Sequence, residues 1–312
     1  MSDCPSIYFP DSIYFDSSFL RSHFAGWNIV DECIYNPSVI AAIIRPPEIA
    51  TADHLSSFPN LELVLSDSTG VSHLTFLESI ANISIKTLRN LPSSARSPLT
   101  TASDHAFCLA ELSLRPILSF YSSLILSDSS FNTSCYKRAD FRGLAWQEVS
   151  VGIIGFGRIG NSFFNRLPPH VKKVSIYDTD PTQYECNLLD SNVVTISSSL
   201  EELFSVSDVI LLSVTDSELN RDLISSNCFQ HSIHSLINIS RPYMVHADSL
   251  LEALHSGKIN MYLSDFPPRN LHSDFSPFVR DGRMLYLPHM GGCTKFSWDL
   301  SLKSILTFLP QL

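Results

Sequence analysis

Residues 149–160 read VSVGIIGFGRIG: an apolar, β-branched run breaks into a GxGxxG turn and continues into a helix-forming stretch. Such a run suits a strand covered on both faces, as in a parallel sheet. In the turn, Gly155 permits the tight bend and Gly157 lets backbone amides approach an anion with no side chain between. Gly160 lets the following helix pack close to the strand, and the helix amino end then faces that anion. An ordinary strand-to-helix turn has the same outline. Yet the chain has only 11 glycines in 312 residues, below the average of roughly 7%, and Gly152, Gly155, Gly157 and Gly160 crowd into this window.

Working outward, residues 161–167 read as a short helix, Pro168-Pro169 closes it, and residues 174–177 read as a second strand that ends on Asp178. The acid lies close to the ~20-residue offset at which a carboxylate holds the adenosine ribose hydroxyls of a dinucleotide. A carboxylate there repels a 2′-phosphate, which favours NAD over NADP. The competing reading makes Asp178 a cap for the turn at Thr179-Asp180-Pro181.

The length of 312 residues and the 44% apolar content allow two domains, each with its own core. A net charge of −10 without a basic stripe argues against binding nucleic acid or an anionic membrane surface. The amino terminus, MSDCPSIYFPDSIYF, lacks the positive and apolar regions of a secretory signal, and no apolar run approaches the ~18 residues that span a bilayer. The seven cysteines are scattered and never arranged as CxxC. They fit reduced thiols of a cytoplasmic protein, with no metal site, and Cys293 reads as a packing residue.

Short apolar strands at residues 6–9, 41–45, 62–66 and 83–87 alternate with helical stretches, an open α/β pattern. The loop LPSSARSPLTTAS (91–103) leads into a long apolar helix predicted for residues 104–126, followed by a polar linker or arm at 127–142. From Val149 the alternation resumes, with strands at 174–177, 193–196, 209–214, 235–239 and 260–264. This predicts an α/β chain with two doubly wound parallel sheets. Residues 101–290 would form the nucleotide-binding domain, and residues 1–100 with 291–312 the substrate domain. The last segment carries one helix that could return to the first domain, leaving a cleft between the two.

Two further residues suit chemistry. LINISR (236–241) ends a strand on Arg241, and ligands of open parallel sheets bind outside the carboxyl ends of the strands. A guanidinium can grip a carboxylate with two parallel hydrogen bonds and stays charged at any working pH. YLPHMGG (286–292) presents His289, a residue type suited to exchanging a proton with an alcohol near neutral pH. A loop arginine and a structural histidine are the alternatives, since the chain contains 11 histidines.

Together these motifs resemble the D-isomer-specific 2-hydroxyacid dehydrogenases. GFGRIG (155–160) with Tyr177-Asp178 is similar to that family's NAD fingerprint. INISR (237–241), SLLEALHSGKI (249–259) and SDFP (264–267) resemble its arginine motif and the following segment. PHMGGCT (288–294) resembles its catalytic histidine motif, and ASDHAFCLAEL (102–112) the helix linking its domains. The resemblance implies a Rossmann NAD-binding domain, a flavodoxin-like substrate domain and a homodimer formed through the cofactor domain. It implies that Arg241 orients the substrate carboxylate and carbonyl, and that His289 takes the hydroxyl proton as hydride leaves. Asp265 would contact the nicotinamide side of the cofactor, and Arg158 with Ile159 would approach the pyrophosphate. Ser68, Thr69 and Gly70 would offer backbone groups to the substrate carboxylate. Arg45, in IIRPPEI (43–49), resembles an arginine of phosphoglycerate dehydrogenases. With SDFP and the short tail, it points to 3-phosphoglycerate, hence serine biosynthesis, without an appended regulatory domain.

Two departures stand out. The family pairs its histidine with a glutamate soon after the SDFP position, whereas this chain reads Pro267-Pro268-Arg269-Asn270 there and has no glutamate after Glu252. The histidine would lose a partner that orients it and favours its protonated form, unless Asp274 or Asp281 folds back. Pro242 also stands where glycine is usual, so the loop carrying Arg241 must take another path. Such changes keep open an NAD-responsive regulator, akin to the family's corepressor members, and a purely structural α/β protein.

Overall fold

The computed structural model describes residues 4–45, 55–66, 74, 83–91, 100–119, 138–180, 193–266 and 273–309. The chain divides into two compact units, Met1–Pro98 with Thr294–Leu312, and Leu99–Cys293. Each is a parallel α/β layer structure.

In the first unit, β1 (Ser6–Tyr8), β2 (Asn28–Val30), β3 (Val39–Ile43), β4 (Leu63–Ser66) and β5 (Ser84–Thr87) form one sheet in the order β2-β1-β3-β4-β5. All its pairings are parallel. The two-residue period of the strands sends alternate side chains to opposite faces. Ile7, Ala41, Ile43 and Leu65 meet Phe15, Phe19, Leu302 and Ile305 on one side, while Val39, Ala42, Ile44 and Val64 meet Leu55 and Phe58 on the other. The helix Lys295–Leu306 thus returns to the first sheet. Burying Leu302 and Ile305 contributes roughly 1.5–3 kcal/mol each. The short edge strand β2 was not legible in the sequence, being three residues long and incompletely buried.

In the second unit, β6 (Ser150–Ile154), β7 (Lys173–Tyr177), β8 (Val194–Ile196), β9 (Val209–Leu212), β10 (Ile233–Asn238), β11 (Ile259–Ser264) and β12 (Met284–Tyr286) form a sheet in the order β12-β11-β10-β9-β6-β7-β8. It too is all parallel. The order reverses between β6 and β9, the position where doubly wound sheets open a ligand crevice. Every residue of β6 is buried. Val151 and Ile153 pack with Ala106, Leu109 and Phe163 on one face, and Ile154 packs with Leu203, Ile210 and Leu236 on the other.

Two helices differ from the sequence reading. The helix after the glycine turn spans Arg158–Phe164, starting directly behind Gly157 rather than at Asn161. The long helix runs from Thr100 to Leu114, breaks at residues 115–116 and is helical again at 117–119, while residues 120–126 of the expected span lie outside the described residues. Pro116 disfavours helical geometry at Arg115 and supplies no N–H. The Leu114 carbonyl instead accepts the Leu144 amide at 2.9 Å, and the Arg115 side chain donates to the Leu144 carbonyl. Residues 120–137, most of the expected arm, lie outside the described residues.

Candidate active site

The register of the second sheet gathers the candidate residues along one edge. Tyr286, Ser264, Asn238, Leu212, Ile154 and Tyr177 pair in succession across β12, β11, β10, β9, β6 and β7. Because every strand runs the same way, the residues just beyond this row share the carboxyl edge. They include His289, Asp265, Arg241, Gly155 and Asp178, all singled out in the sequence, and Asp216, which was not.

At the glycine turn, Gly155 adopts φ +88°, where L side chains are strained. Its amide donates to the Tyr177 carbonyl at 2.9 Å. A Cβ on Gly160 would overlap the Gly155 carbonyl oxygen, so the helix approaches the turn as closely as backbone allows. A Cβ on Gly157 would meet nothing within 4 Å; the space above the second glycine is open. Asp178 accepts the Phe156 amide at 2.6 Å and the Asp180 amide at 2.8 Å. Arg158 is exposed at the helix start and Ile159 half-buried beside it. This cradle of open backbone, helix amino end and acid fits a dinucleotide.

Arg241 is extended, at φ −140° and ψ 147°, and Pro242 opens a short 3-10 turn, Pro242–Met244. The extended arginine meets the restriction on a residue before proline. Arg241 Nε donates to Asp216 at 3.1 Å, and Nη1 donates to the Ser240 carbonyl at 2.8 Å. The Tyr243 hydroxyl donates to the other Asp216 oxygen. Partial burial and that carboxylate push the Tyr243 phenol up to about 12.

Asp265 is 3% exposed and is wrapped by the His289 loop. Its backbone carbonyl accepts the His289 amide at 2.8 Å, and its carboxylate accepts the Met290 and Gly291 amides at 2.9 Å each. His105 Nε2, from the helix Thr100–Leu114, lies 3.1 Å from the same carboxylate. Successive amides around an anion form a nest, and the turn holds His289 at φ +55°, an uncommon conformation for a non-glycine residue. The His289 imidazole lies below its ordinary pKa of 6.5, chiefly because burial disfavours its charge, then because of Arg241, with Asp265 opposing. Asp281 is exposed at the end of the helix Ser276–Arg280, and Asp274 lies in the turn Ser273–Phe275. Among the described residues, the carboxylate acting on His289 is Asp265.

Phe266 completes the group. Its ring centroid lies 4.2 Å from that of His289, with planes at 33°, and 4.8 Å from the Arg241 guanidinium carbon. The sequence offered no periodic signal for this double contact, nor for Asp216 or for His105 as a partner of Asp265. Cys293 is exposed, contrary to the packing role read from the sequence, with its thiol 3.6 Å from the His289 carbonyl.

In the other unit, Arg45 follows β3. It is 6% exposed, 3.8 Å from Asp11, and its guanidinium stacks over Trp298 at 4.2 Å and Phe15 at 5.5 Å. Ser68, Thr69 and Gly70 lie outside the described residues. Among the described residues no group of three or more His, Cys, Asp or Glu side chains could hold a metal ion, and no helix is long and apolar enough to cross a membrane.

Residues 114–291 match the family model for the D-isomer specific 2-hydroxyacid dehydrogenase, NAD binding domain. The human glyoxylate reductase/hydroxypyruvate reductase is 30% identical over 155 residues, which cover 49% of this chain and 46% of that protein. The D-3-phosphoglycerate dehydrogenase of Mycobacterium leprae is 23% identical over 265 residues, 84% of this chain and 47% of that protein. The chain thus spans about half the length of the curated relatives it matches. The crystal structure of D-lactate dehydrogenase from Aquifex aeolicus, complexed with NAD and lactic acid, superposes with a TM-score of 0.69 at 18% identity, covering 97% of this chain and 93% of that one. It shares the two-sheet α/β fold. The cofactor of the second unit is NAD, and with more than half its length inside the family model, the chain belongs to the D-isomer-specific 2-hydroxyacid dehydrogenase family.

Proposed function

We propose that the protein interconverts a small D-2-hydroxy acid and its 2-oxo acid with NAD. The observation that carries this reading is the carboxyl-edge row, which sets a fixed cation, Arg241, and a titratable imidazole, His289, beside the dinucleotide cradle. NAD supplies the hydride acceptor. Gly155, Gly157, Gly160, Arg158 and Ile159 bind its pyrophosphate, Asp178 takes the ribose hydroxyls and repels a 2′-phosphate, and Asp265 lies on the nicotinamide side. Arg241 pairs with the substrate carboxylate. Neutral His289 accepts the hydroxyl proton as hydride leaves the adjacent carbon; in reverse, protonated His289 returns the proton to the carbonyl oxygen. A depressed pKa keeps the base form abundant near neutrality.

The substrate we propose is 3-phosphoglycerate, with Ser68, Thr69 and Gly70 on its carboxylate and Arg45 on its phosphate, in a homodimeric, cytoplasmic enzyme. Similarity over 84% of the chain to a D-3-phosphoglycerate dehydrogenase supports it. Arg45 already faces Asp11, so the phosphate would share a guanidinium whose five donors allow it. A second reading, an NAD(H)-binding regulator with weak or no turnover, is favoured by the lack of any glutamate after Glu252 and by the pairing of Arg241 with Asp216 at 3.1 Å. The test is NADH oxidation, with NADPH in parallel, across 2-oxo acids including phosphohydroxypyruvate. Turnover on the phosphorylated acid alone supports the first reading in full. Turnover on other 2-oxo acids retains the dehydrogenase and removes the phosphate, while tight NADH binding without turnover selects the regulator.

A further inference from the structure

His289 has no glutamate downstream of Glu252 to orient it, and the carboxylate that acts on it among the described residues, Asp265, is occupied by the Met290 and Gly291 amides and faces His105. What does hold the imidazole is a flat apolar surface. Phe266 lies against it at 4.2 Å between ring centroids, and the same ring meets the Arg241 guanidinium at 4.8 Å. Arg241 follows β10, Phe266 follows β11 and His289 follows β12, so one side chain on the middle strand touches the working groups of both neighbours. We propose that Phe266 is a positioning residue that sets the His289 imidazole and the Arg241 guanidinium relative to each other, by aromatic contact where a carboxylate would act by hydrogen bonding.

The substitution changes more than geometry. A carboxylate neighbour stabilises imidazolium, whereas an aromatic neighbour excludes water and returns only a weak cation–π attraction. The charged groups facing His289 are Arg241, which opposes its protonation, and Asp265, which favours it; Asp216 faces Arg241 from beyond β9. With Phe266 in place the imidazole is held and kept neutral together. A 2-oxo acid carries its carboxylate and carbonyl on adjacent carbons, so it requires a fixed spacing between cation and imidazole, and one shared ring provides it.

Where it concerns turnover, this inference rests on the dehydrogenase reading; where it concerns His289 itself, it does not. The test is histidine NMR on the full-length protein, with the His289 signal assigned by its loss in His289→Gln, alongside kinetics of Phe266→Ala, Phe266→Leu and Phe266→Tyr. In the wild type the His289 ring protons should show an aromatic upfield shift and a midpoint below about 6.5. Phe266→Ala should remove the shift, move the midpoint upward and lower kcat on the order of tenfold to a hundredfold while KM for NADH stays unchanged. Phe266→Tyr should restore all three. Should Phe266→Ala not fold, Phe266→Leu against Phe266→Tyr decides, because leucine fills space without a flat face. An unchanged His289 shift and midpoint in Phe266→Ala, or in Phe266→Leu where alanine does not fold, overturns the inference. A wild type silent on every 2-oxo acid removes the dehydrogenase reading instead, and the NMR midpoints still decide the role of Phe266.

Discussion

Gly157 and Gly160 stand in the same turn but face opposite surroundings, so one methyl group at each separates folding from cofactor binding. At Gly160 the added carbon overlaps the Gly155 carbonyl oxygen, a backbone atom that cannot swing aside. Overpacking of this kind costs about 1–3 kcal/mol; the upper end applies here, and helix preference for alanine returns about 1 kcal/mol. The net loss is about 2 kcal/mol, or about 4–8 °C in Tm for a unit of this size. At Gly157 the added carbon meets nothing within 4 Å, and φ −66° with ψ −160° is open to any residue. The weaker N-cap is offset by the stiffer unfolded chain, leaving Tm nearly unchanged. The methyl then stands where the pyrophosphate must approach, and NADH affinity should fall about tenfold or more, equivalent to ~1.4 kcal/mol. Thermal melts and NADH fluorescence titrations of Gly157→Ala and Gly160→Ala read the two effects separately. Wild-type NADH affinity in Gly157→Ala would refute the cradle, and a wild-type Tm in Gly160→Ala would refute the close helix approach.

Three further outcomes follow from the same geometry. The folded His289 pKa lies below its unfolded value, so the unfolded chain binds more protons between the two. Stability is therefore full above about pH 6.5 and declines as pH falls toward the folded pKa, and His289→Gln should flatten that slope in urea melts; an identical slope would mean that the imidazole is not held neutral. Asp265→Asn turns one acceptor toward the Met290 or Gly291 amide into a donor, and charge-assisted bonds of this kind contribute about 1.5–3 kcal/mol each. A loss on the order of 3 kcal/mol in urea is expected, and a loss under about 1 kcal/mol would contradict the nest. Arg45→Met should raise KM for phosphohydroxypyruvate about tenfold or more while leaving KM for glyoxylate unchanged; equal effects on both would assign Arg45 to packing against Trp298 and Phe15 alone.

The two parallel sheets were legible because their strands are short β-branched runs whose burial on both faces leaves no polar alternation to confuse them, as in Val149–Ile154 and Val209–Leu212. The glycine turn was legible because each glycine answers a separate steric demand, and Gly155 and Gly160 meet theirs through a positive φ and a backbone contact. Arg241 was singled out because it ends a strand and His289 because it follows a strand-like run broken by proline, whereas Asp265 rested on the resemblance to the family alone. Their partners could not be found in this way. Asp216 reaches Arg241 from the neighbouring strand β9, and His105 reaches Asp265 from a helix far earlier in the chain; such pairings leave no spacing in sequence. The long helix shows what apolar content hides: the run is continuous in sequence across residues 114–117, but Pro116 interrupts the hydrogen-bonded ladder there.

Asp265 shows how the site manages without a second carboxylate. The carboxylate accepts two amides and faces a histidine, and its position is fixed by the loop it organises. It can temper the field of Arg241 at His289, but with its oxygens turned to Met290, Gly291 and His105 it is poorly placed to orient the imidazole. Orientation then falls to the Phe266 ring and to the loop backbone, which holds His289 at φ +55°. On the dehydrogenase reading, the two directions respond differently to this division. Oxidation needs the neutral base, which burial and Arg241 already favour. Reduction needs imidazolium, which the same environment disfavours. The pH limb of reduction should therefore shift acidward with the His289 pKa while oxidation keeps its rate near neutrality, a coupling set by the burial of the imidazole and the charge of Arg241.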